Sequence, residues 1–351
     1  MDYQKENPET VAAEIGVCDG IEALPKRLDR YGIAKKSALN SAEYMLKLPD
    51  AQRHQKVLNR VVTCGDYLLF RHYYTVDETR LHAASLCKAH LLCQLCAIRR
   101  GAKALAAYLQ RFETIRAAKP SLKAFMVTLT LKHGDDLGER FKSLQRAVAA
   151  FWKTRSRGRG SWLDPVQGAV WSYECKKGKN SGQWNCHLHM IALSSQNLAA
   201  YPSQQELSRA WHNITGDSKI VDVRPIDQDN PVDGFLEVFK YATKFSDMQP
   251  EELLSAYNVL KGRRLLASAG CFRNVDVPES LLDEPLDGLP YVEYFYQFAG
   301  EGYSYCPTIP QTVKDRDLKK PKMRTYTSAA PTSFPSRIRE HSDSSGHVTE
   351  I

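Results

Sequence analysis

His187 and His189, separated by one residue in the run CHLHMIAL, are residues with metal chemistry in them. In an extended segment residues i and i+2 share a face, so both imidazoles project to the same side. Two imidazoles hold a divalent cation when a third donor lies near. Glu174, at the end of the preceding predicted strand, is the candidate third donor across a hairpin. An isolated His-x-His is common by chance, so the pair carries weight only in company.

That company is Glu237, Tyr241 and Lys244, spaced by four and then three in DGFLEVFKYATKFS. This spacing puts all three on one face of a predicted helix over 233–246. The opposite face is an apolar stripe of Phe235, Val238, Ala242 and Phe245. A tyrosine hydroxyl, with a pKa near ~10, is a poor nucleophile at neutral pH. It attacks a phosphate only where a cation polarises the target and spreads its charge. A histidine-bound metal would do this. Lys244 would steady the phenolate or the phosphate, and Glu237 would act as general base for the tyrosine or for water. Taken alone, the set is also what a solvated helical face looks like.

A third group is sulfur-based. Cys87, Cys93 and Cys96 form a C-x5-C-x2-C pattern, with Cys64 upstream and His90 inside it. Thiolates and imidazole are the ligands of tetrahedral Zn²⁺, and a C-x2-C pair grips one ion from a tight turn. The preferred set is Cys64, Cys87, Cys93 and Cys96, with His90 the rival for the fourth place. The site would anchor residues 64–100 and set the basic helix start, Arg99, Arg100 and Lys103, toward DNA.

These residues need elements to position them. Residues 1–40 are polar with short helical hints and no motif; 41–63 and 98–118 are predicted helical, the latter with an apolar face of Ile98, Leu105, Leu109 and Phe112. AFMVTLTL (124–131) alternates as a strand, with Phe125, Val127, Leu129 and Leu131 on one side and Met126, Thr128 and Thr130 on the other. A helix follows with Leu137, Phe141, Leu144, Val148 and Phe151 at helical spacing. Strands over 168–174 and 185–193, joined by the turn-rich CKKGKNSGQW, predict a β-hairpin. Further elements are a helix at 203–214, a strand at 219–224 and a helix over 250–268. The order predicts an α+β fold with an antiparallel sheet flanked by helices. The expected divisions are an extension (1–40), a zinc-binding and helical region (41–118), a catalytic domain (119–300) and a tail (313–351) poor in large apolar residues.

The chain has 351 residues, 43% hydrophobic and 25% charged, and a formal net charge of +8, which is ordinary globular composition with a tilt toward polyanionic partners. The basic run Lys153, Arg155, Arg157 and Arg159, and the group Lys261, Arg263 and Arg264, are candidate phosphate contacts. Trp162, Trp171, Trp184 and Trp211 read as core, with base stacking the alternative. No run is long enough to span a membrane, and MDYQKENPET lacks an apolar signal core. These features read as a cytoplasmic protein, in which nine cysteines are not expected to form a disulfide framework. There is no GxxxxGK[ST] loop, so an ATP-driven motor of that class is not expected.

VTLTL, CHLHMIAL and EVFKYATKF, in this order and at these separations, resemble the rolling-circle plasmid replication initiators of the HUH endonuclease superfamily. The resemblance covers roughly residues 64–300. It implies a central antiparallel sheet bearing the histidine pair and a tyrosine on a nearby helix. It implies Mg²⁺ or Mn²⁺ on His187 and His189. Tyr241 would attack one strand of a single-stranded or hairpin origin and stay joined to the 5′ end. The freed 3′ hydroxyl would prime synthesis, with host helicase and polymerase as partners. Glu237 matches a glutamate that activates water for termination in one branch. Asn185 and Cys186 stand where members often carry a further histidine. The tyrosine lies C-terminal to the pair, unlike the order in relaxases. A transposase or relaxase of the same superfamily and a non-catalytic zinc-stabilised DNA-binding protein are the alternatives. Oligomeric state stays open, a dimer among the options.

Overall fold

Burial alternates along the strand that carries the histidines. In β5 (Trp184–Ser194), Cys186, Leu188 and Met190 are fully buried, whereas Asn185, His187 and His189 are partly covered. Period-two alternation of this kind belongs to a strand with a packed face and a working face. The computed structural model describes residues 20–155, 160–178, 181–200, 203–240 and 248–313, and the chain through Thr308 is one compact unit.

β5 is the middle of a five-stranded sheet in the order β6-β3-β5-β4-β7, formed by β3 (Lys123–Thr130), β4 (Val166–Lys177), β6 (Val221–Pro225) and β7 (Leu266–Gly270) around it. All its described pairings are antiparallel. The packed face lies under α4 (Leu137–Thr154), whose Phe141, Leu144, Val148 and Phe151 share a core with Leu129, Leu188 and Met190. Asp136 caps this helix by accepting from the Glu139 amide at 2.6 Å. The other face has a second core. Met126, Val170 and Ile191, which lie on the same side as the histidines, pack there against Leu105, Tyr108 and Phe112 of α3 (Gln94–Ala118) and Phe235, Val238 and Phe239 of α6 (Val232–Phe239).

A second sheet, β2-β1-β8-β9, pairs β1 (Tyr67–Tyr73) and β2 (Glu78–Ala84) with β8 (Val292–Phe298) and β9 (Tyr303–Cys306). The sequence pattern does not predict these strands, although β2 alternates cleanly in burial. The remaining helices are α1 (Leu24–Met45), α2 (Gln55–Val62), α5 (Ser203–Thr215) and α7 (Pro250–Leu260).

Several expectations need correction. α1 runs unbroken through residue 40, burying Leu24, Leu28, Tyr31, Ala34, Ala38 and Met45, so residue 40 is not a boundary. The helix expected over 41–63 is interrupted after Met45, where Pro49 opens a short 3-10 turn. The helix expected over 250–268 stops at Leu260 in a turn closed by Arg263 N donating to Leu260 O at 3.0 Å, and Leu266–Gly270 is a strand paired to β4. Among the described residues one disulfide is present: Cys175 and Cys186 are directly opposed in the β4–β5 register, with Cα atoms 4.2 Å apart. The expectation for the tail from 313 onward falls, beyond residue 313, outside the described residues.

Arg99 is not a DNA contact. It is buried, donating to Leu281 O and the Tyr31 hydroxyl and paired with Asp283. Arg27 of α1 pairs with the same carboxylate at 2.9 Å and Lys103 at 3.1 Å. One aspartate from the segment before β8 therefore ties α1 and α3 together. Trp162, Trp171, Trp184 and Trp211 are all buried, which leaves none of these four to stack on a base in this state.

Candidate active site

The hairpin register sets the site. Across β4–β5, Glu174 is opposite His187 and Ser172 is opposite His189; across β3–β5, Thr130 is opposite His187 and Thr128 is opposite His189. Directly opposed residues point to the same face, so these six side chains share it. Glu174 was placed across the hairpin in sequence without a fixed register, and the structure puts it beside the pair.

Both imidazoles address a single oxygen. Nε2 of His187 and Nε2 of His189 lie 3.4 and 3.3 Å from Oε2 of Glu174. The rings are nearly perpendicular, with centroids 4.9 Å apart. Oε1, the other oxygen, meets Lys176 Nζ at 3.2 Å, and the carboxylate is only 3% exposed. Thr128 Oγ1 lies 3.2 Å from Nδ1 of His189. Nδ1 of His187, Oγ of Ser172 and Oδ1 of Asn185 are buried and have no hydrogen-bond partner among the described residues. A buried carboxylate aimed at two imidazole nitrogens, beside polar atoms left without partners, is a donor set that fits a divalent cation of the Mn²⁺ or Mg²⁺ class. The sequence reading missed Lys176 and Ser172. Their signal was the same two-residue alternation, since Ser172, Glu174 and Lys176 are i, i+2 and i+4 on β4.

Glu237 is on α6, half-buried, 3.8 Å from Lys240. That helix packs on the histidine face through Phe235, Val238 and Phe239. Tyr241 and Lys244 lie outside the described residues, as do Arg157 and Arg159. The described helix ends at Phe239, two residues before Tyr241. Gly101 of α3 lets it come close: a Cβ there would lie 2.9 Å from the Phe239 carbonyl oxygen. Of the basic run, Lys153 and Arg155 are described, and both are exposed at the end of α4.

The sulfur cluster comes from three places. Cys64 follows α2, Cys87 follows β2, and Cys93 and Cys96 open α3, with Cys93 at its N-cap. Cys64 Sγ is 3.5 Å from the Sγ atoms of both Cys93 and Cys96, and Cys87 is 3.6 Å from Cys96. The four ligand atoms lie within 4.8 Å of one another, and all four residues are buried. The amides of Cys87 and Ala89 donate to Cys64 Sγ and Cys87 Sγ at 3.3 and 3.4 Å. Sharing hydrogen bonds with Cys64 draws the Cys87 thiol far below its usual range and pushes Cys93 and Cys96 above theirs. His90 stands outside this group, and Cys64 takes the fourth position. Gly65, at φ +74°, turns the chain from Cys64 into β1.

Residues 78–293, more than half of the chain, match a family model described as Replication protein. The chain belongs to that family. It is a replication protein of the rolling-circle plasmid initiator kind whose motifs the sequence resembles. A curated relative, "Protein rep" of Staphylococcus aureus, is 26% identical over 225 residues, covering 59% of this chain and 95% of its own length. No solved structure matches. The match takes in the whole five-stranded sheet, α3 and α6, and it begins after Cys64. No described helix of this replication protein is long and apolar enough to cross a membrane.

Proposed function

We propose that this replication initiator is a metal-dependent nickase that cuts one DNA strand at its origin with Tyr241. The observation that carries the reading is the convergence of His187 and His189 on one oxygen of Glu174. These three residues would hold Mn²⁺ or Mg²⁺, which when bound withdraws charge from the scissile phosphate. Tyr241 gives up its hydroxyl proton to Glu237 or to water, its oxygen forms a bond to phosphorus, the bond to the 3′ oxygen breaks, and that oxygen leaves as a hydroxyl after taking up a proton. The 5′ phosphate remains on the tyrosine. Lys244 stabilises the phenolate before attack. Glu237 takes a proton from water when the adduct is later hydrolysed, or a returning 3′ hydroxyl reverses the first step and rejoins the strand. Host polymerase would extend the free 3′ hydroxyl and host helicase would open the duplex.

Cys64, Cys87, Cys93 and Cys96 would hold a structural Zn²⁺ that ties α2, β2 and α3 together. This cluster favours the second reading, a zinc-stabilised DNA-binding protein without catalysis. The two readings part in one assay. Single-stranded origin DNA is incubated with the protein and Mn²⁺ and run on a denaturing gel. A covalent protein–DNA band that disappears in Tyr241→Phe supports the nickase; DNA binding with no adduct on any strand of its own replicon supports the second reading.

A further inference from the structure

At the end of the five-stranded sheet remote from the histidines there is a cleft of about 410 Å³. Its walls are the last turns of α3, with Arg111 and Lys119, the end of α4, with Arg155, and the β4 and β7 ends at Gln167 and Cys271. Neither Asp nor Glu is among the residues lining it. Arg111 donates from Nε to Cys271 O at 3.0 Å, which ties the exposed guanidinium to the rim and leaves its Nη groups out of that bond. Among the described residues none of the three cations is in an ion pair, in contrast to Arg27, Arg99 and Lys103, which Asp283 engages. Burial raises the Cys271 thiol, and Arg111, Lys119 and Arg155 each pull it back, which is the electrostatic trace of three positive charges meeting at one place.

We infer that this cleft is a second DNA site, one that grips the phosphate backbone of duplex DNA flanking the cut. Cations with no ion pair among the described residues suit phosphates and carry no base preference. The fold also supplies a distance. From Gln167 to Glu174 is seven residues of β4, or roughly 23 Å at about 3.3 Å per residue. Phosphates on one strand of B-DNA are spaced about 3.4 Å apart along the axis, so the span corresponds to about seven base pairs. Duplex is the fitting partner because it is stiff over lengths of about 50 nm, so a grip at one end fixes the register at the other. A single strand would not hold that separation. The position relative to the cut rests on the nickase reading; the binding itself does not.

The test is a salt titration of binding by the full-length protein, without divalent metal, to a short duplex and separately to a single strand. Each phosphate contact contributes about 0.9 to the slope of log affinity against log salt. The triple variant Arg111→Gln, Lys119→Gln, Arg155→Gln should reduce the duplex slope by about 2 to 3, with single-strand binding unchanged. All three side chains are exposed, and an unchanged melting temperature confirms that the variant folds. An unaltered duplex slope, or an equal loss on single strands, overturns the proposal. Methylphosphonate substitution should then map the contacts to about seven base pairs from the nick. Duplex binding through the cleft with contacts elsewhere would sink the placement of the cutting site and leave the cleft intact.

Discussion

Thr128 Oγ1 and His189 Nδ1 are 3.2 Å apart, on neighbouring strands and in register. An imidazole that offers Nε2 to a metal carries its proton on Nδ1, and that N–H needs an acceptor. With a metal on Nε2, the threonine hydroxyl would be that acceptor and would fix both the tautomer and the tilt of the ring. His187 has no such partner on Nδ1 among the described residues, so the two imidazoles are held unequally. Thr128→Val keeps the shape and removes the acceptor. Its Mn²⁺ affinity, followed by calorimetry or electron paramagnetic resonance, should fall about 10- to 100-fold, with nicking restored at high Mn²⁺. Thr128→Ser should bind like the parent. Equal affinity in the valine variant would show that Thr128 merely packs.

Asp283 is the buried counterpart of this arrangement on the structural side. Burial alone would raise its carboxyl, but Arg99, Arg27 and Lys103 outweigh it and hold the group well below its ordinary 3.8. A depressed pKa contributes stability that is present above the unfolded value and lost as pH falls through the folded one. The link between α1 and α3 should therefore survive to below pH 3.8 and fail only in stronger acid. Asp283→Asn leaves two buried arginines unpaired and should cost about 3–5 kcal/mol in urea unfolding. The same variant should also lose most of the stability difference between neutral and strongly acidic pH. A loss below ~1 kcal/mol would mean that water reaches the arginines.

Part of this architecture was legible in the chain because it follows from alternation. AFMVTLTL and CHLHMIAL each alternate, so Thr128 shares a side of its strand with Thr130, and His187 shares a side of its own with His189; that the two sides are one face follows from the register. Glu174 needed the register, which a hairpin turn of uncertain length hides. The extent of α1 is hidden in part because Ala34, Ala38 and Ala42 are core residues that look neutral in sequence. Arg99 misled for a different reason. A charged residue near the end of a cysteine motif reads as surface, and only its distant partner Asp283 explains its burial. β7 was read as helix because LLASAG has no alternation of its own; pairing with β4 decides it.

The cysteine cluster makes a prediction that does not depend on nicking. Four buried thiols within 4.8 Å of one another are poorly matched unless a cation gathers their charge. Purified protein should contain one zinc per chain by mass spectrometry of the metal. Cys93→Ser, at the N-cap of α3, should lower zinc content and melting temperature together, because metal binding and local folding are the same equilibrium. His90→Ala should retain the zinc, since that ring is outside the group. Zinc-free protein of unchanged stability would leave the cluster as a simple core of thiols.

Gly101 tests whether the end of α6 must sit where it does. A methyl group at this position would meet the Phe239 carbonyl oxygen at 2.9 Å, and the neighbour is backbone, which cannot rotate away. Gly101→Ala therefore pushes α6 outward from α3 by a few tenths of an ångström or more. Overpacking of this kind costs about 1–3 kcal/mol, partly offset by the better helix propensity of alanine. The catalytic consequence should exceed the stability one. Phe239 leads directly into Lys240 and Tyr241, and a displacement of ~1 Å at a reacting group is enough to cost about 100-fold in rate. Single-turnover nicking of origin DNA should slow by one to two orders of magnitude, with DNA affinity and Mn²⁺ affinity unchanged. Normal nicking in a folded Gly101→Ala protein would show that the tyrosine segment is positioned independently of α6.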